Sequence, residues 1–209
     1  MSQEYIWEVK AKNTPFLKKK CNHCDSERFY CSDKFRMNAQ KKNIDIWLIY
    51  RCTKCKNTYN MTLYSRTRTE SITRDLFSKF SENNADTAWE YAFSLETRRK
   101  NNVESDLESV EYDIEHDPIE NLLYSESEIL TFTIKYPFDF NLRVSTVIRT
   151  CLNLSSSKLN QLMEINGVFF QGKPLRKKYK LKNGDRVQVN KKKLTELYDP
   201  EKERRQEKQ

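Results

Sequence analysis

Two Cys-x2-Cys pairs, Cys21/Cys24 and Cys52/Cys55, stand 27 residues apart, and nothing else in the chain limits its fold so sharply. A CxxC step suits a tight knuckle that points two thiolates at one ion, and two knuckles side by side complete a tetrahedral site. The residues between can bring them together. Ile44, Ile46, Leu48 and Tyr50 alternate along a strand leading straight into Cys52, and Tyr59, Met61 and Leu63 alternate again as a returning strand would. The separation exceeds the roughly 15–20 residues of the commonest spacing, so a longer hairpin or an extra strand must fill it. The pattern predicts a structural zinc ribbon with Cys21, Cys24, Cys52 and Cys55 as ligands, the zinc supplying folding energy that so short a segment lacks. A catalytic zinc would need an open position. His23, inside the first knuckle, is the weaker ligand candidate, and Cys31 reads as a small buried hydrophobe. A redox dithiol or plain thiols remain the alternatives.

Glycine is scarce. Its three occurrences, Gly167, Gly172 and Gly184, leave the first 166 residues without a Gly-rich phosphate loop or dinucleotide fingerprint, so no nucleotide cofactor is expected. Gly167-x4-Gly172-Lys173 imitates a phosphate loop, but Pro174 stands where Ser or Thr must reach magnesium. No apolar leader follows the first Met, and the longest apolar run, Ile46 to Tyr50, falls far short of the roughly 20 residues of a membrane helix. A soluble cytoplasmic protein is expected, with thiols or metal ligands rather than disulfides. Two histidines and no Ser/His/Asp or paired-carboxylate pattern point away from an enzyme.

Charge is segregated. Residues 1–60 hold thirteen Lys and Arg against six Asp and Glu, residues 101–140 one against eleven, and residues 141–193 thirteen against two. A basic C-terminal block of this density is the electrostatic footprint that polyphosphates attract. The acidic block beside it is expected to contact it and compete with RNA.

Between the blocks, Ile72, Leu76, Phe77 and Phe80 recur at helical spacing behind a possible cap at Ser71. Ala88, Trp89, Ala92, Phe93 and Glu96 predict a second helix from Asn84 or Asp86 to just before Arg98, and the pair reads as a helical hairpin. His116, between Glu115 and Asp117, reads as a solvated residue. Phe132, Ile134 and Tyr136 share one face of a strand that Pro137 ends. Val144, Val147, Ile148, Cys151 and Leu152 make an amphipathic helix, with Cys151 in the core. Ser155 or Ser156 caps a second helix bearing Leu159, Leu162 and Met163, with Gly167 at its end. Strands at Val168–Phe170 and Arg186–Val189 follow, with turns at Gln171-Gly172 and Asn183-Gly184.

Two resemblances follow from these residues. Arg143-Val144-Ser145, Leu152 to Lys158, Leu162-Met163-Glu164, Gln171 to Leu175 and Lys182 to Val189 run without a gap in a pattern that resembles the αL-type RNA-binding domain of small-subunit ribosomal protein four. The resemblance implies that Arg143, Ser157, Lys158 and Lys173 hold an RNA backbone. Ser156 stands where that family usually has Arg, and Ser145 where it usually has Asp, which removes a phosphate ligand. The run Arg176, Lys177 and Lys178, with Lys180 and Lys182, can supply charge in its place. In the N-terminal half, Cys31 to Lys42 and Ile46 to Cys52 resemble the bacterial domain-of-unknown-function family 1062, which implies an architecture without a mechanism.

The expected fold class is α+β. A zinc ribbon spans residues 1–66, a helical hairpin and acidic segment 67–128, an αL-type two-helix and small-sheet domain 129–193, and a charged tail 194–209. The expected function is non-enzymatic RNA binding, on ribosomal or transfer RNA. The alternative is a protein-interaction adaptor whose ribbon binds a protein partner and whose αL-like unit is degenerate.

Overall fold

Strand β1 (Glu4–Ala11) turns Tyr5, Trp7 and Val9 to one side and buries all three, while Ile6 on the other side is 49% exposed. Period-two alternation of this kind marks a strand with one face on a core. That core is not the one beside the cysteines. In the computed structural model, which describes residues 4–123, 126–176 and 178–198, the chain divides into two compact units. One runs from Ala11 to Glu111. The other is discontinuous and joins the segment ending at Lys10 to the one beginning at Tyr112.

The Ala11–Glu111 unit is built on an antiparallel sheet of β2 (Phe16–Lys18), β3 (Arg28–Gln40), β4 (Asn43–Cys52), β5 (Thr58–Arg68) and β6 (Glu104–Asp106), in the order β5-β4-β3-β2-β6. The span between the two knuckles is filled by a long hairpin, 13 residues in β3 and 10 in β4. Ile44, Ile46, Leu48 and Tyr50 are buried along β4, with Met61 and Leu63 buried on β5. Three irregularities interrupt the register, two of them with left-handed residues. Ser65 and Arg66 together oppose Asp45, and the left-handed Arg66 (φ 48°) donates its N–H to the Asp45 carboxylate at 2.7 Å. Ser32 and Asp33 are looped out between the Cys31 and Lys34 pairings, with Asp33 at φ 55°.

Helices α1 (Arg74–Ser81), α2 (Ala85–Phe93) and α3 (Leu95–Lys100) complete this unit. Thr73, not Ser71, caps α1, because residues 69–71 form a short 3-10 turn first. Phe80 provides its anchor, lying among Phe35, Tyr64 and Tyr91, whereas Phe77 is 39% exposed. The expected second helix is two helices. Ser94 takes an extended conformation, closes α2 and caps α3 by accepting the Thr97 N–H.

In the discontinuous unit, β7 (Tyr112–Glu115), helix α4 (Ile119–Leu123), β8 (Ile129–Lys135), α5 (Val144–Cys151), α6 (Ser156–Glu164), β9 (Val168–Phe170), β10 (Lys173–Pro174), β11 (Arg186–Asn190) and α7 (Lys191–Leu197) follow in order. Its sheet runs β10-β9-β11-β8-β1-β7, with β1 parallel to β8 and β11 antiparallel to it. The Trp7 ring stacks on Phe132 with centroids 4.0 Å apart, and Phe132, Ile134, Val187 and Val189 are fully buried. The buried Tyr136 hydroxyl accepts the N–H groups of Phe140 and Leu142, which folds the chain after Pro137 into α5. The boundaries expected at 66 and 128 therefore shift. β1 leaves the N-terminal segment because its apolar face pairs with β8, and β7 joins the same sheet.

Helix α5 buries Val144, Val147, Ile148 and Cys151, as the periodicity predicts, and Ser155 caps α6 through the Lys158 N–H. The end of α6 differs. Asn166, not Gly167, adopts the left-handed conformation (φ 51°), and the Gly167 N–H returns to the Leu162 carbonyl at 2.7 Å. Gly167 is needed for space: a Cβ there would lie 2.4 Å from Leu162 Cδ1, on a side chain that is fully buried. Gly167→Ala is expected to cost about 1–3 kcal/mol through overpacking, measured by urea unfolding of the full chain. The following turn, Gln171-Gly172, has positive φ at both residues, the geometry that matches a two-residue hairpin.

Candidate metal centre and basic segment

The two knuckles are built alike. In the first, the Cys21 N–H donates to the Ser26 carbonyl at 2.8 Å; in the second, the Cys52 N–H donates to the Asn57 carbonyl at 2.8 Å. Each bond closes a turn of six residues around its CxxC. A hydrogen bond of 2.9 Å between the Ser26 and Thr53 hydroxyls ties one knuckle to the other. Neither residue is marked by the CxxC spacing, and nothing in the sequence distinguishes them from surface Ser and Thr. The knuckles are also joined through Lys54 Nζ on the Asp25 carboxylate at 2.8 Å, an exposed pair of small energetic weight.

The four Sγ atoms lie within 4.8 Å of one another, and no fifth His, Cys, Asp or Glu joins them among the described residues. The closest approaches run across the knuckles, Cys21 to Cys55 at 3.6 Å and Cys24 to Cys52 at 3.5 Å. A tetrahedron with metal–sulfur bonds of about 2.3 Å has sulfur–sulfur edges of about 3.8 Å. The arrangement could hold one ion between four sulfurs, and all six cysteines are free of disulfides. The His23 imidazole is not part of the cluster. His23 contributes its backbone N–H instead, which donates to Cys21 Sγ at 3.4 Å.

The thiols of the cluster act on one another electrostatically. Burial raises the Cys52 thiol, but backbone N–H groups of Cys55 and Lys54, the Ser26 hydroxyl and Cys24 outweigh it and lower the thiol to about 6. At Cys55 a backbone hydrogen bond from Asn57 favours the thiolate, yet burial and the three neighbouring sulfurs push the thiol up to about 12. One thiolate forms readily and resists a second beside it. A bound cation would let all four ionise together. Cys31 and Cys151 are different: burial pushes each thiol up to about 12, which keeps them neutral core residues.

The expected RNA-binding residues sit in the discontinuous unit. Arg143 precedes α5 and forms a β-bridge with Lys180, and the Val144 N–H donates to the Tyr179 carbonyl. Ser157 and Lys158 occupy the first turn of α6, with the Lys158 ammonium 5.7 Å from the centroid of the Tyr198 ring. Lys173 begins β10, and Arg176 and Lys178 lie on the segment that leads to Lys180. Lys177 lies outside the described residues. Arg143 is thus brought beside Lys180, whereas Lys158 is placed beside Tyr198, the residue that follows α7. The buried Asp185 fixes this region, accepting the Lys182 N–H at 2.7 Å and the Gln171 side-chain amide at 2.9 Å.

The acidic block contacts the basic one as expected, through β8 paired with β11 and the Lys191 N–H on the Glu128 carbonyl at 2.9 Å, while two of its carboxylates pair elsewhere. Asp106 binds Arg28 at 3.0 Å and Glu115 binds Lys10 at 2.6 Å, both partners coming from the N-terminal basic block. His116 is exposed and contacts only the neighbouring Asp117 carbonyl among the described hydrogen bonds. No helix of the described residues is long and apolar enough to cross a membrane.

The family described as Protein of unknown function (DUF1062) matches residues 37–173. No curated protein and no solved structure matches the chain. The match begins inside β3, past Cys21 and Cys24, takes in Cys52 and Cys55, and ends at the first residue of β10, so it draws on both compact units. Covering more than half of the sequence, it makes this chain a member of that family of unknown function.

Proposed function

We propose that this protein is a non-enzymatic, zinc-stabilised RNA-binding protein of the cytoplasm. Zinc on Cys21, Cys24, Cys52 and Cys55 makes the Ala11–Glu111 unit a ribbon. A four-thiolate tetrahedron suits zinc, which has no redox chemistry of its own, and four protein ligands leave no open position for catalysis. The order of two helices, hairpin and strand from α5 to β11 supports an αL-type unit.

One observation carries the RNA assignment. In a segment with thirteen Lys and Arg against two Asp and Glu, Arg143, Lys173, Arg176 and Lys178 form no ion pair with any carboxylate among the described residues. Cations left unmatched in this way release condensed counterions when they meet phosphates. The first turn of α6 adds backbone N–H donors, since the Ser155 side chain satisfies only that of Lys158 and its carbonyl only that of Leu159.

Five phosphate contacts on a single strand give a slope of log K against log[salt] near about −3.5, at about −0.7 per contact. Lys173→Ala or Arg176→Ala is expected to reduce that slope by about 0.7 and to weaken all sequences alike, because phosphate contacts position without specifying. Ser156→Arg is expected to strengthen binding. Fluorescence anisotropy of labelled RNA across salt concentrations measures both. Absence of any salt-sensitive affinity at about 50 mM salt, where electrostatic binding is favoured, would overturn the assignment in favour of a protein-binding adaptor.

A further inference from the structure

The helices of the Ala11–Glu111 unit pack on one face of its sheet. Ile44, Ile46, Leu48 and Tyr50 of β4 point into the buried cluster that also holds Phe80 of α1 and Ala88 and Ala92 of α2. Successive side chains of a strand alternate between its faces. Trp47, Ile49 and Arg51 therefore point to the other side, and neither Trp47 nor Ile49 belongs to that cluster or packs against it. Strand pairing widens this second face. Trp47 lies between Arg36 on β3 and Thr62 on β5, and Ile49 lies beside Lys34.

Trp47 stands at the centre of this face without a partner. It is half-buried, its ring meets no other ring or cation among the described residues, and its indole N–H reaches solvent unbonded. Around it, Lys34, Arg36 and Arg51 are exposed and form no ion pair with any carboxylate among the described residues. Asp45 shares the face, but its carboxylate is engaged by the Arg66 N–H at 2.7 Å. Lys34 and Arg36 point the same way from one strand, about 7 Å apart. Their mutual repulsion is relieved by an anion set between them.

Charge and geometry choose the occupant. A two-fold contact with a second copy sets a patch against itself, and here that would oppose cation to cation. A peptide adding as a strand finds the edges taken. Asn101 holds both the N–H and the carbonyl of Thr62 at 2.8 Å, and Asn83 accepts the Phe35 N–H at 2.8 Å. What stays open is an aromatic ring among cations, the combination that holds single-stranded nucleic acid by stacking and phosphate contact. We infer that this sheet face binds single-stranded RNA, with Trp47 stacking on a base and Lys34, Arg36 and Arg51 meeting the phosphates beside it. This surface deepens, and rests on, the RNA-binding function proposed above, and it belongs to the other compact unit from Arg143, Lys173 and Arg176.

Anisotropy of a labelled single-stranded RNA decamer of mixed sequence, and of a blunt RNA duplex, tests it on the full chain across salt concentrations. Trp47→Val keeps a strand-forming residue and is expected to weaken the decamer at least about five-fold, the lower end of what one base–aromatic stack supplies. The salt slope and the duplex affinity are expected to stay as they are, because a stack carries no charge and paired bases cannot enter it. Trp47→Phe is expected to recover most of the affinity lost in Trp47→Val. Arg36→Gln is expected to reduce the decamer's salt slope by about 0.7. RNA is also expected to quench tryptophan fluorescence in the natural chain and not in Trp47→Phe, a readout that holds even where Trp47→Val disturbs the fold. Unchanged decamer affinity in a folded Trp47→Val, quenching undiminished in Trp47→Phe, or an unchanged slope in Arg36→Gln overturns the inference. Binding lost in Trp47→Val but kept in Lys173→Ala and Arg176→Ala supports the sheet face and removes the basic segment. The reverse pattern overturns the sheet face alone, and a chain that binds no RNA overturns both.

Discussion

Removing the metal, with a chelator or through Cys24→Ser, is expected to unfold the Ala11–Glu111 unit while β8, β11 and α5 keep their structure. The magnitudes decide this. Structural zinc on thiolates supplies about 10–16 kcal/mol of apparent binding free energy near neutral pH, and a typical domain is stable by only about 5–15 kcal/mol. The site is also part of the unit's interior: Cys21 and Cys52 belong to the same buried cluster as Leu17, Phe29, Leu48 and Tyr50. Opening the knuckles wets that cluster. Amide NMR of the full chain should show loss of dispersion confined to residues 11–111, restored on adding zinc, and metal analysis of untagged protein should find one zinc ion per chain. A chelated protein with an unchanged spectrum, or protein isolated without zinc, would falsify the assignment.

The second large effect falls on a residue far in sequence from the core it supports. Trp7→Ala is expected to cost the discontinuous unit about 3–5 kcal/mol, the usual loss for a buried Trp cut back to Ala. Trp7 is 1% exposed and stacks on Phe132, and β1 pairs with β8 over five residues. Ile6→Ala, one residue away but on the open side of the strand, is expected to change stability by no more than about 0.5 kcal/mol. Urea unfolding followed by tyrosine and amide signals from each unit separates the two. Equal effects at the two positions would show that β1 is not seated as described.

Residues whose partners lie close in sequence announce themselves. Ile44 to Tyr50 read as a strand because β3 and β5, its neighbours, flank it in the chain, and the CxxC pairs name the four cysteines that come together without any knowledge of the sheet. Val144 to Cys151 read as a helix because one face meets one core. β1 carries the same period-two signal in Tyr5, Trp7 and Val9. What the sequence lacks is any local sign of its partner, since Tyr5 pairs with Phe132. A parallel strand needs no adjacent turn, so no turn residue marks the pairing. Smaller departures have local causes. Ser94 breaks a helix whose apolar pattern runs on through Glu96, because its side chain competes for the Thr97 N–H. Asp33 escapes notice altogether: a left-handed Asp inside a strand has no signature that separates it from an ordinary polar position.

The discontinuity of the β1-containing unit ties its stability to the folding of the segment inserted in it. β1 and β7 are neighbours in one sheet, yet the whole Ala11–Glu111 segment is threaded between them. While that segment is folded, its two ends are pinned together, the Lys12 N–H on the Glu111 carbonyl at 2.7 Å and Asn13 on both Ser109 and Glu111. The sheet then closes across a short, rigid connection. Once the segment unfolds, the same closure must confine a free loop of roughly 100 residues, an entropic cost of up to about 4 kcal/mol. Chelation should therefore lower the melting temperature of a sheet that holds none of the four ligands, with no change in any of its contacts, through the chain statistics of the loop alone.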